Sequence, residues 1–119
     1  MRDIDCVDDK ELDLLMSAGV KAIDIRTPKE WKNTGIIKDS IKLMFFDEYG
    51  NYNAENWIKE LEKYVKNKDE TFVLICAHAN RTKVLGSFLR DNLGYKKVVE
   101  LCGGIEYGWI LKERETVEA

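Results

Sequence analysis

A single stretch limits the fold more than any other. The apolar, β-branched and aromatic run Thr71-Phe72-Val73-Leu74-Ile75 leads directly into Cys76-Ala77-His78-Ala79-Asn80-Arg81. Such a run reads as a strand buried on both faces. The residues that follow place Val84, Leu85, Phe88 and Leu89 at helical spacing. A cysteine therefore closes a strand, and a short loop feeds a helix N-terminus. In open α/β sheets ligands bind at that edge. Helix-start N–H groups with an arginine nearby favour a thiolate, the nucleophilic form of cysteine. The plainer alternative is a small buried cysteine, because free Cys is among the most buried residue types.

The rest of the chain supplies elements for the same architecture. Residues 3–6 read as a short first strand. A helix is expected over 8–18, with Asp8 as N-cap, Glu11 three residues later as in a capping box, Val7 against Leu12 as a staple, and Gly19 at its end. Val20–Ile25 reads as a strand that carries an unexpected carboxylate, Asp24. Thr27 and Pro28 open a short helix as N-cap and first residue, Trp31 buries its face, and Gly35 ends it. An extended piece follows from Ile36 to about Leu43. Residues 44–53 form a loop rich in aromatic residues, of which Phe46 or Tyr49 walls the site. Asn53 caps a helix over 54–66 with one apolar face, Trp57, Ile58, Leu61, Tyr64 and Val65. After the central strand and a helix over 82–93 comes Gly94. A strand over 97–101, a Cys102-Gly103-Gly104 turn and a helix over 105–112 follow, with Ile105, Trp109 and Leu111 turned inward. Residues 112–119 are charged and expected to fray. Strands alternating with helices imply one α/β domain over 1–119, with a parallel sheet of about five strands covered on both faces.

The 119 residues suit one domain with its own hydrophobic core. A net charge of −3 and the lack of a dense basic patch argue against nucleic acid as the main partner. No apolar run approaches a membrane span, and the N-terminus has no signal-peptide core, so the expected location is cytoplasmic. Three cysteines, Cys6, Cys76 and Cys102, lie far apart in the sequence with one histidine in the chain. That pattern argues against a zinc site and, in a cytosolic protein, for free thiols.

Four segments, taken in order, resemble the rhodanese family of sulfurtransferases. Ala22-Ile23-Asp24-Ile25-Arg26-Thr27-Pro28-Lys29-Glu30-Trp31 is similar to its first signature, and Gly35 to Ile41 to the continuation. Cys76 to Thr82 resembles the active-site loop C-x-x-G-x-R-[ST]. Leu101-Cys102-Gly103-Gly104-Ile105 with Trp109 resembles the closing signature. The resemblance implies a rhodanese-like domain and a thiosulfate sulfurtransferase activity. Cys76 would then be the catalytic residue, carrying sulfur as a persulfide. Ala77, His78, Ala79, Asn80, Arg81 and Thr82 would form the substrate-binding loop, its amides cradling anionic sulfur. The implied partners are a small sulfur donor, thiosulfate or a persulfide, and a thiol or cyanide acceptor. No metal or organic cofactor is implied. The chain departs from the pattern at Ala79, where the family loop has glycine, and at Ile36 and Lys38-Asp39, where many members have His and Pro-Gly. Ala77 and His78 replace residues that are often basic or polar.

Around Cys76 the expected roles are supporting ones. Arg81 anchors the loop through its fork of donors and adds positive potential. Asp24 and Arg26 brace the site. His78 stands at the rim. Cys102 is either a resolving thiol or a packed turn residue. Two other functions compete. Cysteine-loop phosphatases resemble C-x₅-R, one residue longer than the C-x₄-R here. A non-catalytic binding or regulatory domain could keep the same fold.

Overall fold

The structure is a computed structural model that describes residues 2–119; Met1 lies outside the described residues. Five strands, β1 (Cys6–Val7), β2 (Lys21–Asp24), β3 (Ile41–Lys42), β4 (Phe72–Ile75) and β5 (Val98–Leu101), form one sheet in the order β1-β5-β4-β2-β3. All four pairings are parallel. The helices are α1 (Asp9–Ser17), α2 (Pro28–Thr34), α3 (Ala54–Leu61), α4 (Arg81–Leu93) and α5 (Gly104–Gly108), followed by a 3₁₀ turn over Ile110–Lys112.

Two apolar layers sandwich the sheet. The period-2 alternation of β4 divides its side chains between them. Phe72, Leu74 and Cys76 face a core with Trp57, Leu61, Leu85 and Leu89, from α3 and α4. Val73 and Ile75 face the other, with Leu12 of α1, Ile105 of α5 and Trp109. The expected parallel sheet with helices on both faces is therefore present, and β4 lies in its middle.

The caps form where the sequence places them, with only the Asp8 half of the box expected at the start of α1. Asp8 Oδ1 accepts from the Glu11 amide at 2.8 Å. Thr27 and Glu30 complete a reciprocal capping box at the start of α2. Asn53 Oδ1 accepts from the Asn56 amide at 3.1 Å. Regular helix in α3 stops at Leu61, and the chain continues to Val65 as a turn, with the Val65 amide on Leu61 O.

Several expectations are corrected. Trp31 is only partly buried, and α2 has no fully buried residue. Val84 and Leu111 are exposed, at 64% and 69%. Leu111 falls in the 3₁₀ turn after α5, where the helical face has ended. Residues 112–119 do not hang free in the structure. Val117 exchanges backbone hydrogen bonds with Ile36, and Thr116 Oγ1 donates to Thr34 O at 2.7 Å. Trp109 Nε1 donates to Glu115 O, and Lys112 and Arg114 both reach Asp9. Cys6 and Cys102 are not free thiols; they form a disulfide. Their 96-residue separation in sequence hides spatial adjacency, because β1 pairs with β5 and the Cys102 amide donates to Val7 O.

Candidate active site

Cys76 follows β4 at the carboxyl edge of the sheet, beside the central strands. It is 1% exposed and is the free cysteine among the described residues. Residues 77–80 form a bend that leads into α4 at Arg81. No side chain caps α4; Asn80 is exposed and makes no cap hydrogen bond.

The loop is clasped from the far side of the sheet edge. The amides of Ile105 and Glu106 in α5 donate to the carbonyls of Cys76 and Ala77, at 2.8 and 3.1 Å. This approach leaves no room at Gly104, which has φ +68°, and whose Cβ would stand 2.3 Å from Ala77 O. The second glycine of the Gly103-Gly104 pair therefore lets the loop and α5 touch. Ala79, in the loop itself, has φ +63°. Glycine adopts that conformation without strain, and alanine adopts it at a cost of about 1 kcal/mol. Asp39, likewise expected to stand in place of a glycine, has φ +69°.

Arg81 holds the loop to α2. Its guanidinium spans the Glu30 carboxylate with two hydrogen bonds, Nη1 to Oε1 at 2.8 Å and Nη2 to Oε2 at 2.7 Å. Glu30 also closes the Thr27 capping box, so one carboxylate links loop and helix start. Burial pushes the Glu30 carboxyl up, but Arg81 and then the Thr27 amide pull it down further, and it lies below the usual carboxylate range. Arg81 is held above the ordinary arginine value, by Glu30 first and by Cys76 and Asp24 to smaller extents. The anchoring expected of Arg81 is present. Its positive potential is not free, because the partner is a carboxylate at ion-pair distance.

His78 is likewise paired. Nε2 lies 2.5 Å from Glu106 Oε2, and the ring stacks on Tyr107 with centroids 4.8 Å apart. The rim of the loop therefore presents a cation already matched by Glu30 and a histidine matched by Glu106. Asp24 and Arg26 form a fully buried pair, with Arg26 Nη2 2.8 Å from Asp24 Oδ2. Arg26 also reaches Thr34 Oγ1 and Gly35 O, tying β2 to the end of α2.

Sequence reasoning missed Glu100 of β5. It is 1% exposed and accepts from Thr82 Oγ1 at 2.5 Å and from Lys83 Nζ at 2.5 Å. Thr82 Oγ1 lies 3.5 Å from Cys76 Sγ. The signal was available: a charged residue inside an apolar strand, the same oddity that drew attention to Asp24. Glu30 and Glu106 carried no such signal, since they sit on helices where exposed glutamates are ordinary.

Beside the loop a cavity of about 730 Å³ is lined by residues that include Lys29, Glu30, Phe46, Asn80, Arg81 and Val84. Phe46 and Val84 also border a smaller apolar pocket of about 170 Å³ with Tyr52 and Phe88. Phe46 thus walls the cavity beside the loop, whose lining reaches Asn80 and Arg81 but not Cys76. Tyr49 is 86% exposed and lines neither cavity.

A parallel sheet of this order, with a strand–Cys-loop–helix unit at its centre, defines a class of protein, and comparison names it. The model of the family described as "Rhodanese-like domain" matches residues 8–110, and the chain belongs to that family. An uncharacterized protein of Rickettsia prowazekii (strain Madrid E) is 26% identical over 96 residues, 78% of this chain and 75% of its own. A rhodanese-related protein of Thermoplasma volcanium superposes with a TM-score of 0.66 at 23% identity, covering 97% of this chain and 99% of that one. The polysulfide-sulfur transferase homodimer of Wolinella succinogenes gives a TM-score of 0.70 at 20% identity, covering 98% and 80%. No helix among the described residues is long and apolar enough to cross a membrane.

Proposed function

We propose that this chain is a sulfurtransferase that moves a sulfane sulfur from a donor such as thiosulfate to a thiophilic acceptor, through a persulfide on Cys76. The observation that carries the reading is the position of Cys76, at the end of the central strand, under a loop closed by an anchored arginine five residues on. The Cys76 thiolate attacks the outer sulfur of thiosulfate. The donor S–S bond breaks, and sulfite leaves with the electron pair. A thiol or cyanide then takes the outer sulfur, and Cys76 departs as thiolate. This is two-step covalent catalysis. The Wolinella relative, by its name a polysulfide-sulfur transferase, supports the same class of chemistry.

The loop's own charges are matched by Glu30 and Glu106, so the rim gives an incoming dianion little to hold. Thiosulfate is accordingly the assay donor, and the physiological one can be a persulfide. Six residues from Cys76 to Arg81 make a smaller ring than the phosphatase loop, which suits a single sulfur atom. One observation favours a second reading, a non-catalytic domain: Cys76 is almost fully enclosed.

Intact mass after incubation with thiosulfate separates the readings. The sulfurtransferase gains one sulfur atom, which reductant removes and which Cys76→Ser abolishes, and it transfers that sulfur to cyanide. No mass gain supports the non-catalytic domain. Cys76-dependent hydrolysis of an aryl phosphate faster than sulfur transfer supports the phosphatase.

A further inference from the structure

An apolar slot between the aromatic loop and α4 has no part in the sulfur-transfer scheme. It encloses about 170 Å³ and is walled by Phe45, Phe46 and Tyr52 on one side and by Val84, Leu85 and Phe88 on the other. Tyr52 and Val84 are large apolar side chains left open to water, at 62% and 64% exposure. The loop side is already built. Phe45 stacks on Tyr52 with centroids 5.1 Å apart, and Phe46 stands edge-on to both, at 4.7 and 5.5 Å. Asp47 Oδ1 accepts from the Tyr49 and Asn51 amides and fixes the turn between them. A pre-formed apolar and aromatic hollow of this kind is the usual form of a small-molecule site.

Its position ties it to the Cys76 loop. Phe45 and Leu85 share one apolar layer with Cys76. Phe46 and Val84 border both the slot and the larger cavity, whose lining reaches Asn80 and Arg81. Val84 follows Arg81 by three residues, about 4.5 Å along the axis of α4. A ring held in the slot leaves a short arm free to run through the larger cavity toward the loop.

Size and charge select the occupant. An apolar cavity of about 150 Å³ takes up one benzene ring. The slot therefore suits a single group of that size. Once Arg81 is matched by Glu30, the lining of the larger cavity sets one cation, Lys29, against two carboxylates, Asp47 and Glu48. That excess of negative charge repels an acidic thiol and tolerates a neutral one.

We propose that the slot is the acceptor subsite, and that the acceptor is a neutral thiol carrying one aryl or similarly sized apolar group on a short arm. The inference rests on Cys76 carrying the sulfur as an anionic persulfide. The sulfur of the thiol bonds to the outer sulfur, and the Cys76 S–S bond breaks. Cys76 leaves with the electron pair as a thiolate. The proton of the thiol ends on the outer sulfur of the new persulfide, so no outside oxidant or reductant takes part.

Binding is tested first without chemistry, on Cys76→Ser protein. Phenethyl alcohol, which has a hydroxyl in place of the thiol, should shift the NMR amide signals of Ala54, Val84, Leu85 and Phe88, which line the slot. Ala54→Leu fills the slot from the start of α3 and should abolish those shifts. Shifts confined to other residues, or none, overturn the subsite. Hydrocinnamate, a similar ring with a carboxylate, should bind more weakly; equal binding overturns the neutral class. Slot signals that move with protein concentration alone assign the face to a second copy of this chain and overturn the proposal as well. The parent is then assayed with thiosulfate as donor and phenethyl mercaptan or cyanide as acceptor. The ratio of the two acceptor kcat/KM values should fall about tenfold in Ala54→Leu and in Val84→Asp. Val84 is exposed, so the second variant leaves the core untouched. An unchanged ratio in either folded variant overturns the acceptor role. Failure of the sulfurtransferase reading looks different: the parent then transfers sulfur to neither acceptor, while phenethyl alcohol still enters the slot.

Discussion

Ala79 shows how much one residue can carry at this site. Its φ of +63° lies in the left-handed region that favours glycine, and the chain holds an alanine there. The loop is therefore held by its surroundings: by α5 amides on the Cys76 and Ala77 carbonyls and by Arg81 on Glu30. Relieving the strain should stabilise the fold without altering it. Ala79→Gly is expected to raise unfolding stability by about 0.5–1 kcal/mol, read as a higher urea midpoint, with sulfur transfer retained. A lower midpoint would mean that the Ala79 methyl, buried in the structure, contributes more packing than its backbone costs.

Among the elements, the docked C-terminal segment has a clear pH signature. Lys112 first and Arg114 second hold the Asp9 carboxyl well down, from 3.8 to about 2. Arg114 also stacks over Trp109, 4.0 Å from its ring, and reaches Asp13. A depressed folded-state carboxyl contributes stability above its unfolded value and loses it as pH falls through the folded one. The Asp9 contribution is thus full above pH 3.8 and disappears toward pH 2. Asp9→Asn should be less stable than the parent at neutral pH, and the gap should close across that acid window. Unfolding curves at several pH values check this; a gap that stays constant to pH 2 would exclude the ion pairs as its source.

On the scale of the whole molecule, the Cys6–Cys102 disulfide ties the first strand to the turn that leads into α5, which clasps the Cys76 loop. It links residues 96 apart. In the chain-entropy account so long a closed loop lowers the freedom of the unfolded chain substantially, and about 2–4 kcal/mol is typical. Reduction should lower the unfolding free energy by that amount, read as a lower denaturant midpoint, and reductant should have no further effect on a Cys102→Ser variant. Sulfur transfer by Cys102→Ser should stay near the parent level, because Cys102 carries a cross-link and is not a resolving thiol. Loss of activity in that variant, with folding intact, would instead tie the cross-link to the geometry of Gly104 against Ala77.

Local chemistry made the sheet, the helix starts and the loop legible in the sequence. The buried β4 run, the caps at Asp8, Thr27 and Asn53, and the glycines after helices each act over a few residues, and each is found where the pattern puts it. The resemblance of four ordered motifs marked Ala79 and Asp39 as standing where the family has glycine, and both have positive φ. What only the tertiary structure decided are the partnerships between residues far apart in the chain. Glu30 with Arg81 spans 51 positions, Glu106 with His78 28, and Asp9 with Arg114 105. The Cys6–Cys102 bond and the Thr82–Glu100 contact belong to the same kind. Spacing along a chain encodes the period of a helix or strand. It does not encode which charge faces which once parallel crossovers set the strand order β1-β5-β4-β2-β3 and bring separate segments to one edge of the sheet.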